Sequence, residues 1–555
     1  MHQGKAKIPP SAMTDIDARR AKIDQAILTL QLRISDLRTQ RNALAPISSL
    51  PEDVLAEVFQ STNDGLSTTC NSYRAFLVSW VCRLWRKVAV RSQRLWNYID
   101  TPNPRLARLC LQRAPFLQLE FQLHHLNPSP SLTKLFGIIM PELKRTSTLS
   151  LRAKDSRPLL YLDEFATYPA PTLHSVSLKG VQLPEDTWKY PGIPPALRSL
   201  SLSKCRFHWD APIFGAGLTS LIITLPSSPM SLSGFLNMLR HVTGLQTLHL
   251  ANVFKSVSSS NSPLQRLAVH LPALTSFALS GCSTRRCTDI LLGLTFTSQA
   301  NVVLNLHDDL RGGATSSLPT VLQLLSGPCT EESPWVIDTI SVLHGNCSQI
   351  QLLSERHSDW TTTKEAVVRI TMDPCTIDAS QILHSFLALN RDNLETVILD
   401  TDRLDVTITD DVWKQVFGGL QSVTKLKVRQ GYANSFIDYL AREGRSIAAI
   451  TSAMVIPPLT KEEARAHISF KELKILEIFR FSEQRVGTNF GDFLLAMTLR
   501  KEFNLKLVGL TFASCHFREF NMVALGGTSR LVHVCHEAEL QEGEDKFISS
   551  RLYRP

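Results

Sequence analysis

Ile16, Ile23, Leu30, Leu37 and Leu44 recur at heptad spacing, and Ile27 and Ile34 supply intervening seam positions. The stretch from Asp15 to Leu44 is polar over much of the remainder and contains neither Pro nor Gly, which predicts one long helix with an apolar seam. Arg20 and Arg41 occupy two further seam positions, so the pattern leaves a lone amphipathic helix and a short self-associating dimer both open. Pro46 ends the run.

Two shorter stripes follow. Leu50, Val54, Leu55, Val58 and Phe59 share one helical face, and Val78, Val81, Cys82, Trp85 and Ala89 repeat the spacing in a second helix over 78–89, closed by Leu95, Trp96 and Ile99. Ser49 and Glu52 have the spacing of a capping box, with Pro51 tolerated in the first turn and Glu52 and Asp53 near the positive end of the helix dipole. Neither short helix can cover its own stripe, so the two should pack together and against something else. Gln60 to Arg74 between them is polar, with Asn63-Asp64-Gly65 as a turn signal, and predicts a loop.

From about residue 140 short strands and helices alternate. Leu173-x-x-Val176-x-Leu178, Leu197-x-x-Leu200-x-Leu202, Leu218-x-x-Leu221-x-Ile223, Leu245-x-x-Leu248-x-Leu250 and Leu274-x-x-Phe277-x-Leu279 share one form. Leu394-x-x-Val397-x-Leu399, Val423-x-x-Leu426-x-Val428, Leu473-x-x-Leu476-x-Ile478 and Leu505-x-x-Val508-x-Leu510 continue it. Helical stretches precede several of them, as in 235–239, 382–386, 412–417 and 493–495. A helix and strand of this size cannot bury their own apolar faces, and stacking such units yields a parallel sheet lined by helices. The intervening residues Ser175, Ser177, Ser199, Ser201, Thr247 and His249, with Thr396 and Ile398, should then face outward, side by side, as one extended surface open to a partner. Gly281 to Asn390 is irregular and accommodates degenerate repeats, an insertion, or both.

The order of the N-terminal elements resembles a known module. Leu50-Pro51, an apolar helix ending in Val58-Phe59, then Val81-Cys82-Arg83-x-Trp85-Arg86 and Leu95-Trp96 look like an F-box, and the Leu-rich segments resemble leucine-rich repeats. A heptad helix just before the module is similar to the arrangement in many fungal F-box proteins. The resemblance implies an α/β fold class: a long N-terminal helix and a small all-α F-box, followed by a leucine-rich-repeat-like α/β solenoid. The expected organisation is a disordered N-terminus (1–14), heptad helix (15–45), F-box (46–100), linker or capping helices (101–139), solenoid (140–535) and polar C-terminal tail (536–555). It also implies a substrate receptor of an SCF-type ubiquitin ligase. Leu50, Pro51, Val54, Leu55, Val58, Phe59, Val81, Cys82, Trp85 and Trp96 would bind a Skp-type adaptor and, through it, a cullin. The repeats would hold a protein substrate, and other subunits would transfer ubiquitin. The alternative is an interaction scaffold that binds without ubiquitin transfer.

Composition narrows the function classes. At 555 residues and 43% hydrophobic content the chain should fold as more than one domain or as a repeat array. Its net charge of +9 raises nucleic-acid binding, but Arg83, Arg86, Lys87, Arg91 and Arg94 gather on the second short helix and the remaining basic residues are dispersed among acids. A solvated helix face and attraction to an acidic protein partner are the expectation, with no nucleic acid. The 11 cysteines include no Cys-x-x-Cys pair, which argues for reduced thiols and against a zinc site. No apolar run reaches the length of a membrane span, and the polar, basic start lacks a secretory apolar region, so cytoplasm or nucleus is expected. No phosphate-binding loop, nucleophile elbow, dinucleotide fingerprint or His-Glu-x-x-His helix occurs. The expectation is a non-enzyme with no cofactor and no metal.

Overall fold

The computed structural model describes residues 10–535 except 62–73, 128, 154–159, 162–167, 184–193, 216, 255–267, 298–299, 308–316, 327–336, 345–347, 359–360, 373–378, 390–393, 402, 404–405, 407, 419, 421, 453–467, 482–489, 504, 506, 514 and 516–531. The Asn63-Asp64-Gly65 turn and the polar tail 536–555 lie outside these residues. The chain divides into two compact units, Met1–Leu197 and Arg198–Pro555, both mixed α/β.

In the first unit the heptad stretch is one helix, α1 (Pro10–Ala43), which begins within the segment expected to be disordered. A 3-10 turn over Pro46–Ser49 leads into α2 (Glu52–Ser61). The capping box does not form. Ser49 Oγ donates instead to the Pro46 carbonyl at 2.6 Å, and Glu52 reaches across to the helix over 83–91, because α2 starts at Glu52 and leaves Ser49 outside its N-cap position. The second short helix, expected to be continuous over 78–89, is broken into α3 (Arg74–Val81) and α4 (Arg83–Arg91). Cys82 sits between them in an extended conformation, and its Sγ accepts from the Trp85 amide as an N-cap.

The stretch 101–139, read as linker or capping helices, also carries a strand. It holds helices Pro104–Arg113 and Pro130–Ile139 and a strand, Leu119–Leu126, whose Leu119, Phe121 and Leu123 are buried. That strand pairs in parallel with Tyr98–Ile99 on one side and Thr146–Ala153 on the other, and the latter with Ser175–Lys179.

In the second unit parallel strands follow one another in register. Ser199–Ser203, Ser220–Thr224, Thr247–Ala251, Ser276–Ser283 and Asn301–His307 run side by side, and Thr396–Thr401, Lys425–Arg429, Ile475–Phe479 and Gly509–Ala513 form a second run. The alternation predicted from the Leu-rich segments sets the core: Leu200 and Leu202, Leu248 and Leu250, Val397 and Leu399, and Leu476 and Ile478 are all buried. In the last segment the frame is displaced. Val508 is 58% exposed, and the buried pair is Leu510 and Phe512, because pairing with Ile475–Phe479 places the strand at Gly509–Ala513.

Between the two runs, the irregular stretch contributes an antiparallel hairpin, Ser348–Ser358 with Thr361–Met372. It folds back between Asn301–His307 and Thr339–His344, so that Thr339–His344 meets Thr396–Thr401 in parallel. Many strands end on a residue with positive φ: Gly180, Lys204, Leu225, Asn252, Gln430 and Arg480. This conformation is costly for residues other than Gly. It is offset by a repeated bond in which the bent residue's N–H donates to the carbonyl ending the next strand, as from Lys204 to Thr224, Leu225 to Ala251 and Arg480 to Ala513. At Gly281 the φ of +69° disfavours any side chain, and an added Cβ would also press on the Asn252 side chain.

Candidate functional site

Two surfaces carry the residues singled out by the sequence. The first is the helical module formed by α2, α3 and α4. Leu55, Phe59, Val88, Ala89, Leu95, Trp96 and Ile99 are buried in it. The Phe59 and Trp85 rings meet at 4.9 Å, Phe76 packs edge-on against Trp96 at 5.1 Å, and Trp96 Nε1 donates to the Ala89 carbonyl at 2.7 Å. Of the predicted binding residues, Leu55, Phe59 and Trp96 are therefore core, Leu50, Cys82 and Trp85 are half-buried, and Pro51, Val54, Val58 and Val81 are exposed.

Two larger exposed side chains accompany them. Trp80 is 64% and Leu77 53% exposed, and with Val81 they share one face of α3. Both fall in or beside the second stripe, but a continuous helix with Val78, Val81 and Trp85 inside turns them away from notice. The break at Cys82 changes the phase and separates Val81 from Trp85.

The basic residues of α4 are exposed, as a solvated face requires, and they also make ties within the molecule. Lys87 Nζ and Arg91 Nη1 lie 2.5 and 3.3 Å from the Glu52 carboxylate, joining α2 to α4. The Lys87 hydrogen bond in particular holds the Glu52 carboxyl below its ordinary range. Arg86 Nε donates to the Ser79 carbonyl at 2.8 Å across the break, and Arg83 bonds Ser35 and Asp36 of α1.

The second kind of surface is the outward face of the strands, taken separately in each unit. In the first unit Ser175 and Ser177 lie opposite Thr148 and Ser150. In the second unit Ser199 and Ser201 are carried through Ser220 and Ile222 to Thr247 and His249 and on to Ser276 and Ala278. All six predicted substrate residues are half-buried, and His249 Nε2 lies 3.0 Å from Ser276 Oγ. Burial lowers the His249 pKa, which keeps its imidazole neutral near pH 7.

Further along the same unit the outward face becomes charged. Lys425, Lys427 and Arg429 alternate with buried Leu426 and Val428 on one strand. Lys425 Nζ bonds the buried Glu477 at 2.7 Å, Arg429 bonds Asp400 at 3.0 Å, and Lys427 Nζ stands 4.6 Å over the Phe479 ring. The alternation alone would have marked these cations as outward; their partners are set by register, Lys427 facing Glu477. Behind the sheet, Glu443 accepts from the Ser469 amide at 2.8 Å while Arg500 donates to the Ser469 carbonyl at 2.7 Å. Burial raises the Glu443 pKa and lowers that of Arg500, and both groups hold the turn 468–470 in place. Among the described residues no group of three or more His, Cys, Asp or Glu is placed to hold a metal ion, and no helix is long and apolar enough to cross a membrane.

The chain matches no protein-family model and no curated protein. Among solved structures it is similar to a crystal structure of a TLR13-ssRNA13 complex, at 13% identity and a TM-score of 0.26 over 76% of this chain and 48% of that one. The chain thus spans about half the length of that protein, and a likeness this distant adds nothing to the fold already described.

Proposed function

We propose that the protein is a substrate receptor of an SCF-type ubiquitin ligase, with residues 46–100 acting as an F-box and the strand array as a leucine-rich-repeat-like solenoid. The observation that carries this reading is the set of apolar side chains the helical module leaves in solvent: Val54 and Val58 on α2, and Leu77, Trp80 and Val81 on α3. Trp80 is of the residue type that most often anchors a protein interface, and the Val and Leu side chains extend the apolar patch around it. The F-box-like order of the surrounding motifs assigns them to a Skp-type adaptor. The outward strand face then serves a protein substrate, and catalysis consists of holding a lysine-bearing target near an enzyme the chain does not contain. The cytoplasm or nucleus is the matching location.

The test is co-purification of the full chain with a Skp-type adaptor and a cullin. Leu50→Ala with Pro51→Ala, and separately Trp80→Ala, should each weaken adaptor recovery by about 2 kcal/mol or more. Wild-type recovery by both variants sinks the assignment. Adaptor without cullin would favour a scaffold that binds but does not direct ubiquitin transfer.

A further inference from the structure

The helix α1 presents an apolar seam that the described residues leave uncovered. Ile16 and Ile27 are 46% exposed, Ile23 59%, Leu30 63% and Leu44 85%. The Arg83 contact with α1 avoids this seam, reaching Ser35 and Asp36 on the flank that also carries the exposed Leu28. We infer that the seam is occupied by α1 of a second copy of this chain, as an antiparallel two-helix coiled coil.

The seam residues select the direction of the pair. In the central heptads Ile27, Leu30, Ile34 and Leu37 keep the seam apolar, while Arg20 and Arg41 interrupt it toward the two ends. In a parallel pair every seam residue meets its own equivalent, so Arg20 would face Arg20 and Arg41 would face Arg41, and Arg33 would flank Arg38. These are like charges in or beside a desolvated seam. In an antiparallel pair Arg20 lies opposite Leu37, Ile27 opposite Leu30, Ile34 opposite Ile23, and Arg41 opposite Ile16. Each guanidinium then snorkels past an apolar residue instead of meeting another.

The flanks agree with that direction. Asp17 and Asp24 sit on the flank that in the antiparallel pair faces Arg38 of the second copy, and the two-fold axis repeats the contact at the other end. Arg19 and Arg33 fall on the opposite flank, where their long side chains reach solvent, and Arg19 is already held by Asp15 at 3.1 Å. The pairing needs nothing from the adaptor reading, so either can fail without the other.

The test uses the full chain. Light scattering over a concentration series should give twice the chain mass, and Ile27→Asp combined with Ile34→Asp should abolish the dimer. Arg38→Glu should weaken it on the order of tenfold by facing the acids, and adding Asp17→Arg and Asp24→Arg should restore it. Direction is read by oxidative cross-linking against a wild-type background. A mixture of the Ile16→Cys and Arg41→Cys chains should join, and Ile16→Cys alone should not. A monomer at every concentration, a dimer that survives the double Asp variant, or cross-linking of Ile16→Cys alone would each overturn the inference.

Discussion

The helical module and the strand array put opposite kinds of residue on their surfaces. In α2 and α3 each helix is too short to surround its apolar stripe, so Val54, Val58, Leu77, Trp80 and Val81 remain in solvent beside a core of Leu55, Phe59 and Trp96. In the array, strand alternation sends most large apolar side chains inward and leaves Ser199, Ser201, Thr247 and His249 half-buried on the outer face, beside Ile222. The first surface is built to gain free energy by losing water. The second offers hydrogen bonds and charge, which discriminate between partners more than they hold them.

The sharpest way to break that contrast lies inside the module. Trp96→Ala removes a fully buried ring, its bond to Ala89 and the face that Arg113 covers at 4.1 Å. It should cost about 3–5 kcal/mol, read as lost amide-exchange protection across residues 52–96. Trp80→Ala, on an exposed ring, should leave that protection unchanged. Equal losses in the two variants would mean that Trp80 is part of the core and that the module has no free apolar face.

A smaller effect is expected where the array turns charged. Glu477→Ala leaves Lys425 and Lys427 without their shared carboxylate on a half-buried face, at a cost of about 1–3 kcal/mol to the second unit by urea denaturation. Glu477→Gln should recover part of it, since the amide oxygen still accepts a hydrogen bond from Lys425. If both changes are silent, the cations are solvated and the charge on this face is incidental.

The smallest change in stability should come from the hydroxyl-rich end. Ser201→Arg with His249→Arg breaks one His249–Ser276 bond and otherwise adds side chains to an outward face, so stability should move by about 1 kcal/mol or less while recovery of a bound substrate is lost. Aggregation of this variant would place those positions in the interior and erase the difference between the two surfaces.

Much of this was legible one residue at a time. The heptad of α1 and the alternation of Leu200, Leu202, Leu248 and Leu250 follow from neighbours in the chain, because helix and strand periods are local properties of the backbone. The same alternation was present at Leu119, Phe121 and Leu123, but that strand lacks the Leu-x-x-Leu opening of the others and fell within the stretch read as linker or capping helices. What only the tertiary structure decided are matters of phase and partner. The break at Cys82 turned Leu77 and Trp80 outward, and register with Ile475–Phe479 moved the last strand so that Val508 lies outside. Glu52 caps nothing and instead joins Lys87 and Arg91, while Glu477 gathers Lys425 and Lys427 from the neighbouring strand. The register of the last strand and the Glu52 and Glu477 contacts link residues far apart in the chain, and no local period carries the distance between them.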